Sequence, residues 1–357
     1  MTSLLLFSLV LIATSMGAIS PFFSTRISMY SVFGDGLTQK QITASLGNRQ
    51  ADLLIKLIPT VVTTETIENG QKPAIEFRLF DSSTNQSFSH VTYYIIVEKD
   101  GKRLLYDLFH DHDGNLKLNI NPTKFGNISV SPEKTPLLAA WIGSPDKPVT
   151  ITGPIFATGG LYHFIVRIET VDTDNGLLTD DQKPIYDSWL SIGNTENHQI
   201  DLGGKQIPIK LISYYDKLND FGFDAKNMQM KFDMPFNWNA SRLENSSIFV
   251  HEEIFVPKPN AFTVIGGYTG SVNGINISKN IMLDNSNPNT DIIHVMLPKN
   301  DLLTLATQVN KNGEVPSGIM NFTLQPSKGS AMRSIGSMSG SNSSMAMGNL
   351  SLTGVHK

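Results

Sequence analysis

Gly159-Gly160-Leu161-Tyr162-His163-Phe164-Ile165-Val166-Arg167-Ile168-Glu169 carries a strict period of two. Tyr162, Phe164, Val166 and Ile168 fall on one face, and His163, Ile165, Arg167 and Glu169 fall on the other. Side chains alternate across an extended backbone, so this pattern specifies a strand with one face in a core. A glycine pair leads into it, and Asp172-Thr173-Asp174-Asn175-Gly176 supplies the turn that follows.

The same pattern spreads outward in both directions. A strand begins at Ala51 and runs to Ile58. Over 72–80, Ile75, Phe77 and Leu79 oppose Glu76 and Arg78. Residues 91–97 are rich in Tyr, Ile and Val, and Asp100-Gly101 reads as a type I′ hairpin turn into a return strand over 103–109. Leu116, Leu118 and Ile120 alternate with Asn115, Lys117 and Asn119, and a strand over 184–192 closes the unit. About seven short strands separated by turn signals predict an immunoglobulin-like sandwich, and a tyrosine near the start of a late strand suits the tyrosine corner of such folds. After a polar joint at 194–199, Met228, Met230, Phe232 and Met234 alternate with Gln229, Lys231 and Asp233, the methionines reading as core filler. Further strands are expected at 248–256, 292–297 and 319–324. Asn300 or Asp301 caps a short helix that carries Leu302, Leu305 and Val309 on one face.

The expectation is an all-β chain of two immunoglobulin-like β-sandwich domains in tandem, over 48–198 and 199–325. A connector at 26–47, with a short helix near 38–46, precedes them. Residues 326–357 collapse into Ser, Gly and Met without periodicity, a composition that cannot offset its ordering entropy and reads as a disordered tail.

Residues 2–25 contain no charged side chain, and positions 4–13 are almost wholly aliphatic. Residues 1–25 are therefore a signal peptide or a membrane anchor. Small residues at Ser15, Gly17, Ala18 and Ser20 favour a cleaved signal over a single N-terminal anchor. Either one places the protein outside the cell or on the outer face of its membrane, with membrane contact only through this segment. The chain has no cysteine, which excludes disulfides, thiolate zinc sites and blue-copper centres. Net charge is −4, with Lys+Arg 28 against Asp+Glu 32, so no basic surface recommends a nucleic-acid partner. N-x-S/T sequons at Asn85, Asn127, Asn239, Asn245, Asn276, Asn321, Asn342 and Asn349 agree with export and glycosylation, although a chain this rich in Asn, Ser and Thr produces several by chance.

His110-Asp111-His112-Asp113-Gly114-Asn115 is the stretch with the most chemistry. Histidines at i and i+2 on a strand share a face and suit Cu(II) or zinc if a third ligand comes from elsewhere, with Asp111 and Asp113 as further candidates. The competing reading is a solvated turn, since Asp-Gly and Asn are turn formers. Asp172, Asp174, Asn175, Asp180 and Asp181 form an acidic cluster that offers oxygens to calcium, or simply an acidic surface loop. His251 and Glu253 share a strand face with Phe249 and Phe255, and read as a partly buried hydrogen-bonded pair. His163 and His294 read as structural. In the tail, Met345, Met347 and His356 offer soft ligands to Cu(I). No nucleophile elbow, phosphate loop or dinucleotide fingerprint is present.

The strings Phe109-His110-Asp111-His112-Asp113-Gly114-Asn115-Leu116, Gly159-Gly160-Leu161-Tyr162-His163-Phe164 and Val250-His251-Glu252-Glu253-Ile254 resemble secreted β-rich proteins of ammonia-oxidising archaea. The resemblance spans roughly 48–325 and implies an exported protein on the outer side of an archaeal membrane. It carries no activity, and by analogy it raises the weight of copper. The leading expectation is an exported binding or structural β-sandwich protein without catalytic activity, with a cell-envelope or extracellular protein partner. The alternative is an extracellular copper-binding or copper-delivery protein using His110, His112 and the Met/His tail. A secreted hydrolase with a site built in space between the domains is a third reading.

Overall fold

Alternating residues at 74–81, 91–99 and 160–170 become long strands with one face buried. The computed structural model describes residues 39–135, 139–143, 147–244, 248–258, 267–311 and 318–327. The apolar segment 1–25 and the tail beyond 327, including Met345, Met347 and His356, lie outside the described residues.

The first unit contains β1 (Gln39–Leu46), β2 (Arg49–Ile58), α1 (Thr64–Glu68), β3 (Ala74–Asp81), β4 (Val91–Lys99), β5 (Lys102–Asp111), β6 (Asn115–Pro122), β7 (Ser129–Ser131), β8 (Lys134–Thr135), β9 (Ala140–Ile142), β10 (Val149–Gly153), β11 (Gly160–Thr170) and β12 (Ile185–Ile192). Among the described residues these strands form two six-stranded sheets, β1-β2-β3-β6-β10-β7 and β12-β11-β4-β5-β9-β8. Their inner faces share one core, in which Phe77 meets Tyr93 at 6.2 Å and Phe164 at 6.3 Å between ring centroids. All three rings are fully buried. Each such side chain contributes on the order of 1.5–3 kcal/mol of burial free energy.

The second unit contains β13 (Asn194–Leu202), β14 (Lys205–Ser213), β15 (Asn219–Asp224), β16 (Gln229–Pro235), α2 (Ala240–Glu244), β17 (Val250–Pro257), β18 (Tyr268–Val272), β19 (Ile275–Asn276), β20 (Ile281–Asp284), β21 (Thr290–Leu297), α3 (Lys299–Lys311) and β22 (Ile319–Pro326). Its two five-stranded sheets run β13-β14-β17-β21-β20 and β15-β16-β22-β18-β19. Met230, Phe232 and Met234 are buried between them, as the alternation requires. Leu302, Leu305 and Val309 of α3 pack into the same core, and Asp301 lies in the helix's first turn. Among the described residues no helix is long and apolar enough to cross a membrane.

Two local expectations are corrected. Residues 39–46 are strand β1, not a short helix, because a turn at Gly47-Asn48 folds them back on β2 with Leu46 opposite Arg49. Gly47 takes φ +59°, a conformation suited to glycine in such a tight reversal. Residues 194–199 are not a joint but the start of edge strand β13, paired from Asn194↔Ser213 onward. Its polar character reflects an edge position with one solvated face. The sheets therefore divide at Gly193, which is held by Gly193 N–H donating to Val62 O (2.9 Å) and Thr64 N–H donating to Gly193 O (2.8 Å). A Cβ on Gly193 would come within 2.7 Å of Ile212, so the close approach of strand ends there requires glycine.

Tyr162 Oη donates to the carbonyl of Thr158 (2.8 Å), closing the backbone that enters β11. Tyr162→Phe should lower unfolding free energy by about 1 kcal/mol in denaturant melts, the usual worth of such a bond. On the outer face of β11, His163 Nε2 lies 2.9 Å from Asp187, Nδ1 lies 3.6 Å from Glu98, and the ring stacks on Trp189 at 4.3 Å. Burial pushes this imidazole down, but the Asp187 and Glu98 carboxylates outweigh it and leave its pKa raised. A raised pKa means the folded state holds the proton more tightly. The stability from His163 is then complete below the unfolded value of about 6.5 and is lost as pH rises through the folded value. Melts of wild type and His163→Gln between pH 5.5 and 8.5 should show a larger difference at the acidic end; a difference independent of pH would show that the pair carries no linkage.

Candidate metal centre

Strand order alone assembles an unusual cluster. In the sheet order β11-β4-β5, β4 is antiparallel to both neighbours. The start of β4 therefore lies beside the ends of β5 and β11. His90 immediately precedes β4, His110 is in the last turn-ward residues of β5, His112 follows β5, and Asp174 follows β11. The β4–β5 register pairs Thr92 with His110 and Val91 with Asp111. One further step brings His90 opposite His112, and His90 N–H donates to His112 O (2.9 Å).

Four side-chain atoms converge there, with each pair within 4.8 Å. His90 Nδ1 lies 2.6 Å from Asp174 Oδ1, and His110 Nε2 lies 3.1 Å from the same oxygen. His112 Nδ1 is 3.3 Å from His90 Nδ1, 3.4 Å from His110 Nε2 and 3.8 Å from Asp174 Oδ1. Tetrahedral ligands with metal–nitrogen bonds of about 2.0–2.1 Å lie about 3.3 Å apart. The rings meet His112 edge-on, at 79° for His110 and 76° for His90, so nitrogens rather than ring faces point inward.

Hydroxyl partners lie behind these nitrogens. The Thr170 hydroxyl donates to the His90 carbonyl (3.1 Å) and touches Thr92 Oγ1 (2.7 Å), which lies 2.8 Å from His110 Nδ1. The Thr170 hydroxyl is shared between the His90 carbonyl and Thr92 Oγ1, so the direction of the bond between Thr92 and His110 Nδ1 follows the imidazole tautomer. Nε2 of this fully buried histidine faces the Asp174 carboxylate at 3.1 Å. At that distance Nε2 either donates its proton to the carboxylate or shares a cation with it. Burial pushes the His110 imidazole down, against the pull of Asp174. The hydrogen bond to His90 holds the Asp174 carboxyl below its usual range, so the site presents a carboxylate. A hydroxyl or carbonyl behind a ligating imidazole is the usual arrangement around a bound metal.

The neighbouring backbone is strained in the same place. His90 and Asp172 both take positive φ, +50° and +65°. Non-glycine residues in that region cost on the order of 1 kcal/mol each and persist where other contacts over-determine them. Here those contacts are Asp172 N–H to Ser89 O (2.8 Å) and the Arg49–Asp172 ion pair (2.9 Å).

His110 and His112 thus come together, and His90 and Asp174 complete their set. Asp111 and Asp113 are not among the converging ligands. Asp111 Oδ1 accepts from the backbone N–H of Asp113 (2.9 Å) and Asn115 (2.8 Å), which is the turn chemistry of Asp and Asn. Gly114 sits in that turn at φ +67°, and a Cβ there would meet the Phe88 carbonyl at 2.0 Å. Asp174 comes from the acidic cluster that suggested calcium, but a set of three imidazoles and one carboxylate lacks the six to eight oxygens calcium takes. His90 carries no local motif. Its one signal was the hairpin register, which lays it beside His112. Comparison of the chain with protein-family models, with curated proteins and with solved structures yields no match.

Proposed function

We propose that this chain is an exported, non-catalytic β-sandwich protein that binds a divalent transition metal, Cu(II) above all, through His90, His110, His112 and Asp174. The convergence of three imidazole nitrogens and the Asp174 carboxylate, each pair within 4.8 Å, is the observation that carries this reading. Cu(II) stands highest in the affinity series of divalent first-row metals for nitrogen-rich sites, and Zn(II) fits the same four ligands. Four protein ligands close the coordination shell, which suits holding or handing on an ion more than activating a substrate. Export is supported by the uncharged segment 2–25. A cell-envelope protein partner and a Met/His tail that gathers Cu(I) belong to the same reading, although the tail lies outside the described residues. The immunoglobulin-like reading of the first unit is supported by β2-β3-β6 in one sheet, β12-β11-β4-β5 in the other, and the Tyr162 corner.

Calorimetric titration with Cu(II), followed by electron paramagnetic resonance for nitrogen ligation, tests the site. Wild type should take up copper with imidazole hyperfine structure. His90→Ala and Asp174→Asn should each weaken binding on the order of 100-fold, and Thr92→Val, which removes only the support of His110, about 10-fold or more. Equal affinity in wild type, His90→Ala and Asp174→Asn would refute the site.

Copper at about 100 times its Kd should add about 2.7 kcal/mol to stability, seen as a raised melting temperature. Because imidazoles must give up their second proton to ligate, that gain should shrink as pH falls. A melting temperature indifferent to copper at pH 7.5 would count against the proposal.

A further inference from the structure

The second unit carries another convergence of ligating atoms on the outer face of its β13-β14-β17-β21-β20 sheet. Along β17, Val250, Ile254 and Val256 enter the core, so His251, Glu253 and Phe255 project from the opposite face. Glu253 pairs directly with His294 on β21, while His251 lies two residues back on the same face. The pleat alone therefore puts these three side chains together. His251 Nε2 and His294 Nδ1 are 3.1 Å apart, and Glu253 Oε1 lies 3.8 Å and 3.5 Å from them. These separations bracket the roughly 3.3 Å between ligands on one face of a metal ion.

The surroundings hold the triad in place. Tyr214 stacks on His251 at 5.1 Å and 14°, and its Oη donates to Glu253 Oε2 (3.2 Å). The hydroxyl thereby occupies one carboxylate oxygen and turns the other toward the imidazoles. Ile212, Tyr214, Phe249 and Phe255 form a small apolar cluster around the site. His251 is almost fully buried, while Glu253 and His294 keep about one-sixth of their side-chain surface open, 16% and 15%.

We infer that His251, Glu253 and His294 form a second transition-metal site, of the two-histidine, one-carboxylate type, that leaves coordination positions open to a small exogenous ligand. Three protein ligands on one face, with a hydroxyl donating to the carboxylate from behind, is the arrangement in which zinc or ferrous iron keeps water or an anion bound. A plain hydrogen-bonded His–His–Glu network shares the distances, and the metal titration separates the two. This site shares no residue with the four-ligand centre, so each can fail alone.

The test uses Co(II) as a visible-absorbing probe on the full chain in a His110→Ala/His112→Ala background, which disables the first centre. One equivalent of Co(II) should give a d–d band that shifts on adding azide, and Zn(II) should displace it. Adding His294→Ala or the isosteric Glu253→Gln should abolish the band and weaken Zn(II) binding at least 10-fold. Tyr214→Phe should weaken it several-fold and keep the band. Circular dichroism spectra matching the background show that each variant is folded, and Glu253→Gln carries the test if His294→Ala is not. No Co(II) band in the background, or a band that survives both ligand substitutions, overturns the site. A band unmoved by azide overturns its open positions.

Discussion

The antiparallel pairing of β4 with both β5 and β11 is the constraint on which the rest of the molecule depends. It packs Tyr93 and Phe164 against Phe77 on the inner face. The same pairing forces the entrance of β4 and the exits of β5 and β11 to one end of the sheet. Residues separated by more than 80 positions, such as His90 and Asp174, are then neighbours at 2.6 Å. The ladder thus supplies the rigidity that loops alone lack, and the ligands stand on strand ends or within four residues of them.

The two clusters use the sheet differently. At the first, the candidate ligands come from three strand ends, and a chain of threonine hydroxyls runs from His110 back to the His90 carbonyl. At the second, ligands stand within two paired strands and occupy one face only, with an aromatic residue from a third strand end supporting the carboxylate. At the first, burial favours the neutral form of the His110 imidazole. A closed shell suits retention of an ion, and an open one suits exchange of a further ligand.

Charged groups elsewhere in the sheets have structural explanations. His163 is paired with Asp187 and Glu98 and stacked on Trp189, so its charge is balanced locally. Glu252 lies on the core side of β17, where Ser213 Oγ donates to it (3.1 Å) and burial keeps its carboxyl protonated well above the ordinary range. Position along a strand separates these roles: adjacent residues Glu252 and Glu253 face opposite sides of one sheet and meet a core serine and a histidine pair respectively.

Local periodicity in the sequence determined that the chain is built of strands, where the main cores lie, and that Asp100-Gly101 turns with both residues at positive φ. That information is carried by neighbours in the chain, because period two and turn chemistry act over a few residues. Polar edge strand β13 was illegible, since pairing rather than side-chain alternation makes it a strand. At the metal centre, His110 and His112 were visible because two residues along a strand share a face. His90 and Asp174 were not, because they reach the site through register and strand order across the sheet. His294 joined His251 and Glu253 for the same reason. Backbone hydrogen bonding between distant segments sets those adjacencies, and only the tertiary structure could decide them.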